Sequence, residues 1–257
     1  MNETPGMRIN KYLSERGLCS RREADSWVDG GRVRINGVVA TLGTKVRPGD
    51  AVAVDGRSVG GETAHVYIAL HKPVGIECTT DPRVPDNVVK FVSHRERIFP
   101  IGRLDKNSEG LLLMTNDGDI VNDLLRANHG HEKEYLVTVD RPVTDAFVRG
   151  MAGGVEILDR VTSPCHVQQI GKNVFRIILT QGLNRQIRRM CEVFGYSVRR
   201  LIRVRFMNIR LDGIQVGRWR NLTKSELSGL LPERFAGREA GVKPGSRTVR
   251  SRGATSG

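Results

Sequence analysis

The chain has no uninterrupted apolar span of about 18 residues and no amphipathic basic helix with a Trp or Phe face. Its sequence therefore offers neither a membrane-spanning helix nor a membrane-surface one. Cysteine is scarce. Cys19, Cys78, Cys165 and Cys191 are scattered without a CxxC pair, and with no signal peptide ahead of them they read as reduced thiols of a cytoplasmic protein. Motifs that hold a reactive group are missing too: no Walker A loop, no GxGxxG after a strand, no HExxH and no Cys/His set with zinc spacing. His129-Gly130-His131 comes nearest to a metal pattern but has no third ligand nearby, so no metal and no cofactor are expected. Nucleotide hydrolysis, redox chemistry and zinc deamination all lack their apparatus.

What the chain does have is positive charge. Its 257 residues carry 41 Lys+Arg against 28 Asp+Glu, a formal net charge of +13, which points to a polyanionic partner, most commonly nucleic acid. The apolar content suffices for one large domain or two ordinary ones.

Taken in order, the chain opens with a polar stretch, 1–6, expected to be flexible. Ile9, Tyr12 and Leu13 share a helical face that Gly17 ends. Ser20 to Glu23 forms a capping box ahead of Ala24, Trp27 and Val28. Arg21 and Arg22 in that first turn oppose the positive end of the helix dipole at a few tenths of a kcal/mol each, a sign that a bound phosphate would reverse. Short β signals follow, with Asn36-Gly37 as a type I′ turn, and residues 7–55 make a compact module. The Gly- and Ser-containing segment 56–64 reads as a linker.

A second domain is expected over 65–231. Its strands are read at Val66–Leu70, Leu111–Thr115, Glu134–Val139, Val174–Thr180, Val198–Val204 and Asn208–Leu211. Helices are read after Asn87, around Ile120–Leu125, over Pro142–Met151 and Arg185–Phe194, and after a Thr223/Glu226 capping box. Without strict alternation of strands and helices the fold class is α+β on a mixed, largely antiparallel sheet. Beyond Pro232 the apolar pattern ends, so 232–257 reads as a disordered basic tail adding unspecific attraction to a polyanion.

Within the second domain, Gly102-Arg103-Leu104-Asp105 sets an acid and a base two residues apart in a glycine-bounded loop that feeds the apolar run Leu111–Thr115. Spacing alone leaves two readings open: a solvated turn in which Arg103 pairs with Asp105, or a rigidly supported carboxylate in an active-site loop.

Two resemblances bear on that choice. Arg8-Ile9-Asn10-Lys11-Tyr12-Leu13, Ser20-Arg21-Arg22-Glu23-Ala24 and Gly31-Arg32-Val33-Arg34-Ile35-Asn36-Gly37 resemble the S4 RNA-binding domain. That resemblance implies a reader of structured RNA, with Arg8, Lys11, Arg21 and Arg22 as phosphate contacts. Lys72-Pro73-Val74-Gly75, Gly102 to Asp105, Gly110 to Gly118, Glu132-Lys133-Glu134-Tyr135 and Gln186-Ile187-Arg188-Arg189-Met190 resemble the successive motifs of the RsuA-type pseudouridine synthases, which carry an S4 domain ahead of the catalytic domain. Gly182-Leu183-Asn184-Arg185, and Ser108 where most relatives have Thr, are similar to the RluF subgroup.

The synthase resemblance implies isomerisation of a uridine in structured RNA, in large-subunit (23S) rRNA near the peptidyl-transferase centre, with a tRNA stem-loop as the alternative target. It implies a cytoplasmic enzyme, expected to be a monomer, with no membrane partner. Asp105 would act on the sugar, Arg188 would hold its charge in place, and Tyr135 would stack on the base and relay a proton. Leu201 would pack beneath the base. Arg103 would fill the stack vacated by the flipped uridine, while Lys106, Arg185 and Gln186 grip the RNA backbone beside it. The competing readings are a non-catalytic S4-type ribosome-assembly factor, a methyltransferase with an S4 appendage, and a glycosidase-like hydrolase. The last needs a second carboxylate, for which Glu109 is the nearby candidate.

Overall fold

The structure, a computed structural model, describes residues 6–61, 64–125 and 130–235. It divides into two compact units, one built from the chain up to Val66 with His94–Ile98 and Thr115–Asp119, the other from the remainder.

The first unit contains β1 (Met7–Arg8), α1 (Ile9–Glu15), α2 (Arg21–Asp29), β2 (Val33–Ile35), β3 (Val38–Val39), β4 (Lys45–Val46), β5 (Val52–Val54) and β6 (Arg57–Val59). Ser20 caps α2 as its sequence requires: its hydroxyl accepts from the Glu23 N–H while the Glu23 carboxylate accepts from the Ser20 N–H. Ile9, Leu13, Ala24 and Val28 turn inward onto Val33, Val46 and Val52. Four strands form a sheet in the order β3-β2-β5-β6, and β1 pairs with β4.

The segment 56–64 departs from its expected role as a linker. Asp55 and Gly56 both have positive φ, 48° and 77°, the backbone of a two-residue hairpin turn. They fold Arg57–Val59 back onto Val52–Val54. The sheet thus runs past residue 55, and Arg32 grips Asp55 with two hydrogen bonds of 2.6 and 3.0 Å.

The second unit continues with β7 (Tyr67–Lys72), α3 (Val88–Val92), β8 (Phe99–Ile101), β9 (Glu109–Thr115), α4 (Gly118–Leu125), β10 (Lys133–Val139), α5 (Asp145–Ala152), β11 (Glu156–Ile157), β12 (Arg160–Val161), β13 (His166–Gly171), β14 (Val174–Leu179), α6 (Gln186–Val193), β15 (Val198–Phe206), β16 (Ile209–Arg210), β17 (Trp219–Asn221), α7 (Lys224–Leu230) and α8 (Pro232–Phe235). Its main sheet runs β13-β14-β10-β15-β9-β7-β17. β10 is antiparallel to both neighbours, β13 to β14 and β17 to β7, while β9 and β15 run parallel. The chain is α+β.

Every residue of β9 is buried, as an apolar run flanked by strands on both sides must be. Leu111 and Leu113 face Ile120, Leu124, Leu211 and Leu227 in one core. A second core gathers Val137, Phe147, Phe175, Ile187, Met190 and Leu201 around β10, β14 and α6. The expected tail begins later than residue 232, because Pro232–Phe235 is a helical turn whose Phe235 ring meets Tyr67 edge-on at 5.5 Å. The rest of that tail, residues 1–5 of the expected flexible start, and His129 lie outside the described residues. Among the described residues no helix is long and apolar enough to cross a membrane.

Candidate active site

The loop between β8 and β9 is built on backbone already committed elsewhere. Gly102 enters it at φ 74°. Leu104 is buried and its N–H donates to Cys78 Sγ at 3.3 Å. The Ser108 N–H closes a turn onto the Asp105 carbonyl at 3.0 Å, and the Gly75 N–H donates to the Lys106 carbonyl at 2.9 Å. Beneath the loop sits Lys72, fully buried at the end of β7. Its ammonium donates to the carbonyls of Pro73 and Ser108 at 2.8 Å and of Lys106 at 3.4 Å. Hydrogen bonds from a charged donor contribute about 1.5–3 kcal/mol each, so this one side chain fastens the loop from below. Burial pulls the Lys72 ammonium below the usual lysine range, opposed in part by the Cys78 sulfur and the Asp105 carboxylate.

Asp105 itself is half-buried, with Arg103 and Lys106 exposed on either side. Its carboxylate forms no ion pair among the described residues, and Arg103 does not turn back onto it. The solvated-turn reading of this loop required that pair. Lys106 instead points toward Asp86, 3.6 Å away. Ser108 is buried and spends its backbone rather than its hydroxyl, which has no hydrogen-bond partner among the described residues.

Where the loop becomes β9, two residues explain the local geometry. Gly110 has φ 116°, and a Cβ there would lie 2.3 Å from the Arg203 carbonyl oxygen, so β15 approaches too closely for any side chain. Glu109 is buried, with His71 Nε2 3.2 Å from its carboxylate. Arg200 donates to the same carboxylate through Nε and Nη2 at 2.9 to 3.3 Å. Burial would push the Glu109 carboxyl up, yet the hydrogen bonds from Arg200 and His71 hold it below the usual range. An ionised, doubly engaged carboxylate is a poor general acid, which removes the partner a glycosidase-like pair needs.

Helix α6 and strand β15 bring the basic residues. Arg188 donates to the carbonyls of Asn107 at 2.9 Å and Val198 at 3.3 Å, bridging the loop to the start of β15. It makes no ion pair with Asp105, so the expected direct clasp is replaced by a grip on the loop's backbone. The guanidinium is held below the usual arginine range by burial and by the neighbouring Arg185 charge, with Asp105 working against both. Arg185 is exposed and left-handed at φ 50° as the residue capping α6, a conformation costing a non-glycine residue about 1 kcal/mol or more. Gln186, expected to grip RNA, is buried. Its side-chain oxygen accepts from the Leu183 N–H at 3.0 Å, and its nitrogen donates to Gln181 at 3.4 Å. It shapes the 181–186 loop instead of facing a ligand. Tyr135 is half-buried on β10 opposite Arg203, and Leu201 is buried opposite Val137.

In the first unit, Arg8, Arg21 and Arg22 are exposed, and a pocket of about 360 Å³ is lined by Gly6, Met7, Arg8, Asn10, Lys11 and Arg21. Lys11 differs from the arginines: it bonds Asp119 at 2.7 Å and Glu15 at 3.4 Å, and the Asp119 hydrogen bond chiefly raises it above the usual lysine range.

Sequence reasoning missed Lys72, His71 and Arg200 as parts of the site and took Glu109 only as a spare carboxylate. Lys72 opens one of the synthase-like motifs and follows the apolar run Ile68–Leu70, where a lysine is rarely fully buried without partners, but neither signal gave it a role.

Comparison with known proteins matches residues 66–193 to the RNA pseudouridylate synthase family and residues 7–59 to the S4 domain. The dual-specificity RNA pseudouridine synthase RluF of Escherichia coli (strain K12) is 57% identical over 226 residues, covering 87% of this chain and 78% of that protein. An RNA pseudouridine synthase of Aquifex aeolicus is 38% identical over 236 residues, covering 87% and 93%. The crystal structure of a pseudouridylate synthase superposes with a TM-score of 0.64 at 26% identity, covering 88% of this chain and all of that one.

Proposed function

The chain belongs to the RNA pseudouridine synthases of the RsuA type, with an S4 domain ahead of the synthase domain, and from that premise we propose that Asp105 is its catalytic group and large-subunit rRNA near the peptidyl-transferase centre its target. The observation that carries the assignment of Asp105 is its carboxylate, free of any ion pair among the described residues, in a loop whose neighbouring carbonyls are held by Lys72 and Arg188. A rigid support with an uncommitted functional atom is what a reacting group requires.

The reaction breaks the bond between uracil N1 and ribose C1′, turns the detached base, and joins C5 to C1′; the C5 proton leaves and N1 gains one. Asp105 either attacks C1′ or takes a proton from the sugar. Tyr135 offers its ring to the base and its hydroxyl to the proton movement, and Leu201 lies beneath the base. Arg103, exposed beside Asp105, occupies the stack the flipped uridine leaves, and Lys106 and Arg185 hold the flanking backbone. Arg188 acts through the Asn107 and Val198 carbonyls, keeping the loop in register. In the S4 unit, Arg8, Arg21 and Arg22 contact phosphates directly, whereas Lys11 does so only after exchanging Asp119 for RNA. The enzyme acts as a monomer.

Substitution Asp105→Asn is expected to abolish pseudouridine formation, read by carbodiimide mapping of incubated RNA, while RNA binding persists. Turnover by the purified Asn variant would refute the assignment. The Escherichia coli relative is a dual-specificity enzyme, which favours a second RNA target, and we propose a tRNA stem-loop for it. Mapping total RNA from cells with and without the gene separates one target from two.

A further inference from the structure

Arg200 differs from Arg203 and Arg205 of the same strand β15. Arg203 is buried and donates to the Leu111 carbonyl at 2.7 Å. Arg205, its side chain 14% exposed, lies between Glu132 and Glu134. Arg200 keeps 58% of its side chain exposed although its partner, the Glu109 side chain, is only 10% exposed. Nε and Nη2 turn inward to Glu109, and Nη1 has no partner among the described residues. An ion pair whose acid is buried and whose cation stands outside is arranged to orient the cation. The acid is in turn held by His71, whose Nδ1 lies 2.7 Å from the Ile214 carbonyl oxygen.

Strand register says where that cation stands. β9 and β15 run parallel, with Ile202 opposite Glu109 and Arg203 opposite Gly110. Two residues back along both strands, Arg200 is level with Asn107, inside the loop that carries Asp105. The Asn107 carbonyl receives Arg188, which also grips Val198 two residues before Arg200. The loop, the start of β15 and Arg200 are therefore mutually fixed. A planar guanidinium held on one edge and open on the other loses little freedom on taking a phosphate oxygen.

We propose that Arg200 contacts a phosphate of the RNA strand lying over loop 102–108, and that Glu109, steadied by His71, is a positioning residue acting through it. The inference rests on that loop being the active site, but its test reads binding and not turnover. A failure here is thus distinguishable from a failure of the Asp105 assignment, which is read by turnover alone.

The experiment measures binding of poly(U) and of a bacterial large-subunit rRNA transcript from about 50 to about 300 mM KCl, where each lost phosphate contact flattens the log K against log salt slope by about 0.7–0.9. Arg200→Gln is expected to weaken binding several-fold and flatten the slope by one such step. Glu109→Gln alone is expected to weaken binding less, because the cation remains but is no longer held. The double variant Glu109→Gln/Arg200→Gln strands no buried carboxylate, and it is expected to bind no worse than Arg200→Gln. An unchanged slope in Arg200→Gln, or a double variant that regains wild-type affinity, overturns the proposal.

Discussion

Arg8, Arg21 and Arg22 of the first unit are exposed and make no ion pair among the described residues, whereas Arg188 and Arg203 of the second are each fastened to backbone carbonyls. The two groups share a side chain and serve different physics. Solvated guanidinium groups attract a phosphate backbone at long range and are screened by salt. Fastened ones have lost their freedom to search, and their value lies in where they hold other groups. One group supplies affinity, the other geometry.

The sharpest way to break this contrast is at Arg188. In Arg188→Lys a single ammonium cannot span the Asn107 and Val198 carbonyls as the fork does. A displacement of the loop by a fraction of an ångström to one ångström is expected to lower kcat by about 10²-fold. RNA affinity should stay within about threefold, because the charge remains. Single-turnover kinetics and filter binding on the same preparation separate the two numbers. A variant that kept kcat and lost affinity would put Arg188 with the solvated group.

The converse is Arg21→Gln with Arg22→Gln. Two phosphate contacts gone should flatten the salt slope by about 1.4–1.8, with kcat at saturating RNA unchanged. A fall in kcat would mean that these arginines also shape the site.

The smallest effect concerns pH. The folded Glu109 carboxyl sits below the usual range because Arg200 and His71 hold its ionised form against burial. A depressed folded value contributes stability that is present above the unfolded value of about 4.3 and lost as pH falls through the folded one. Wild type should therefore be more stable than Glu109→Gln near neutrality, and the gap between their urea midpoints should close as pH drops below about 4. No such convergence is expected for the Arg21/Arg22 variant, whose arginines have no carboxylate partner among the described residues. A constant gap for Glu109→Gln would show that the tie is not electrostatic.

Legibility in the sequence followed the range of the interaction. Ser20/Glu23 and Thr223/Glu226 were readable as capping boxes because both partners lie within one turn. Asn36-Gly37 was readable as a hairpin turn because apolar strands flank it. Asp55-Gly56 has the same turn chemistry but was taken for the start of a linker, since Arg57-Ser58-Val59 shows no alternation and becomes a strand only by pairing with β5. The strands β13 and β17 went unread for the same reason. At the site, Gln186 was assigned the wrong direction: helical periodicity gives spacing, while the loop that Gln186 closes at Leu183 decides which way it faces.

Local chemistry accounts for the S4 helices and their caps, the apolar strand β9, the basic excess, and the carboxylate of Asp105 between two glycines. Those features depend on residues close together in the chain, where propensity, capping and periodicity act. The grip on that carboxylate's loop required the folded sheet. Lys72 lies more than a hundred residues before Arg188 and Arg200 in the chain, and the parallel pairing of β9 with β15 brings Arg200 level with Asn107. Burial then makes each contact strong, because a polar group withdrawn from water must find a partner wherever the chain has delivered one.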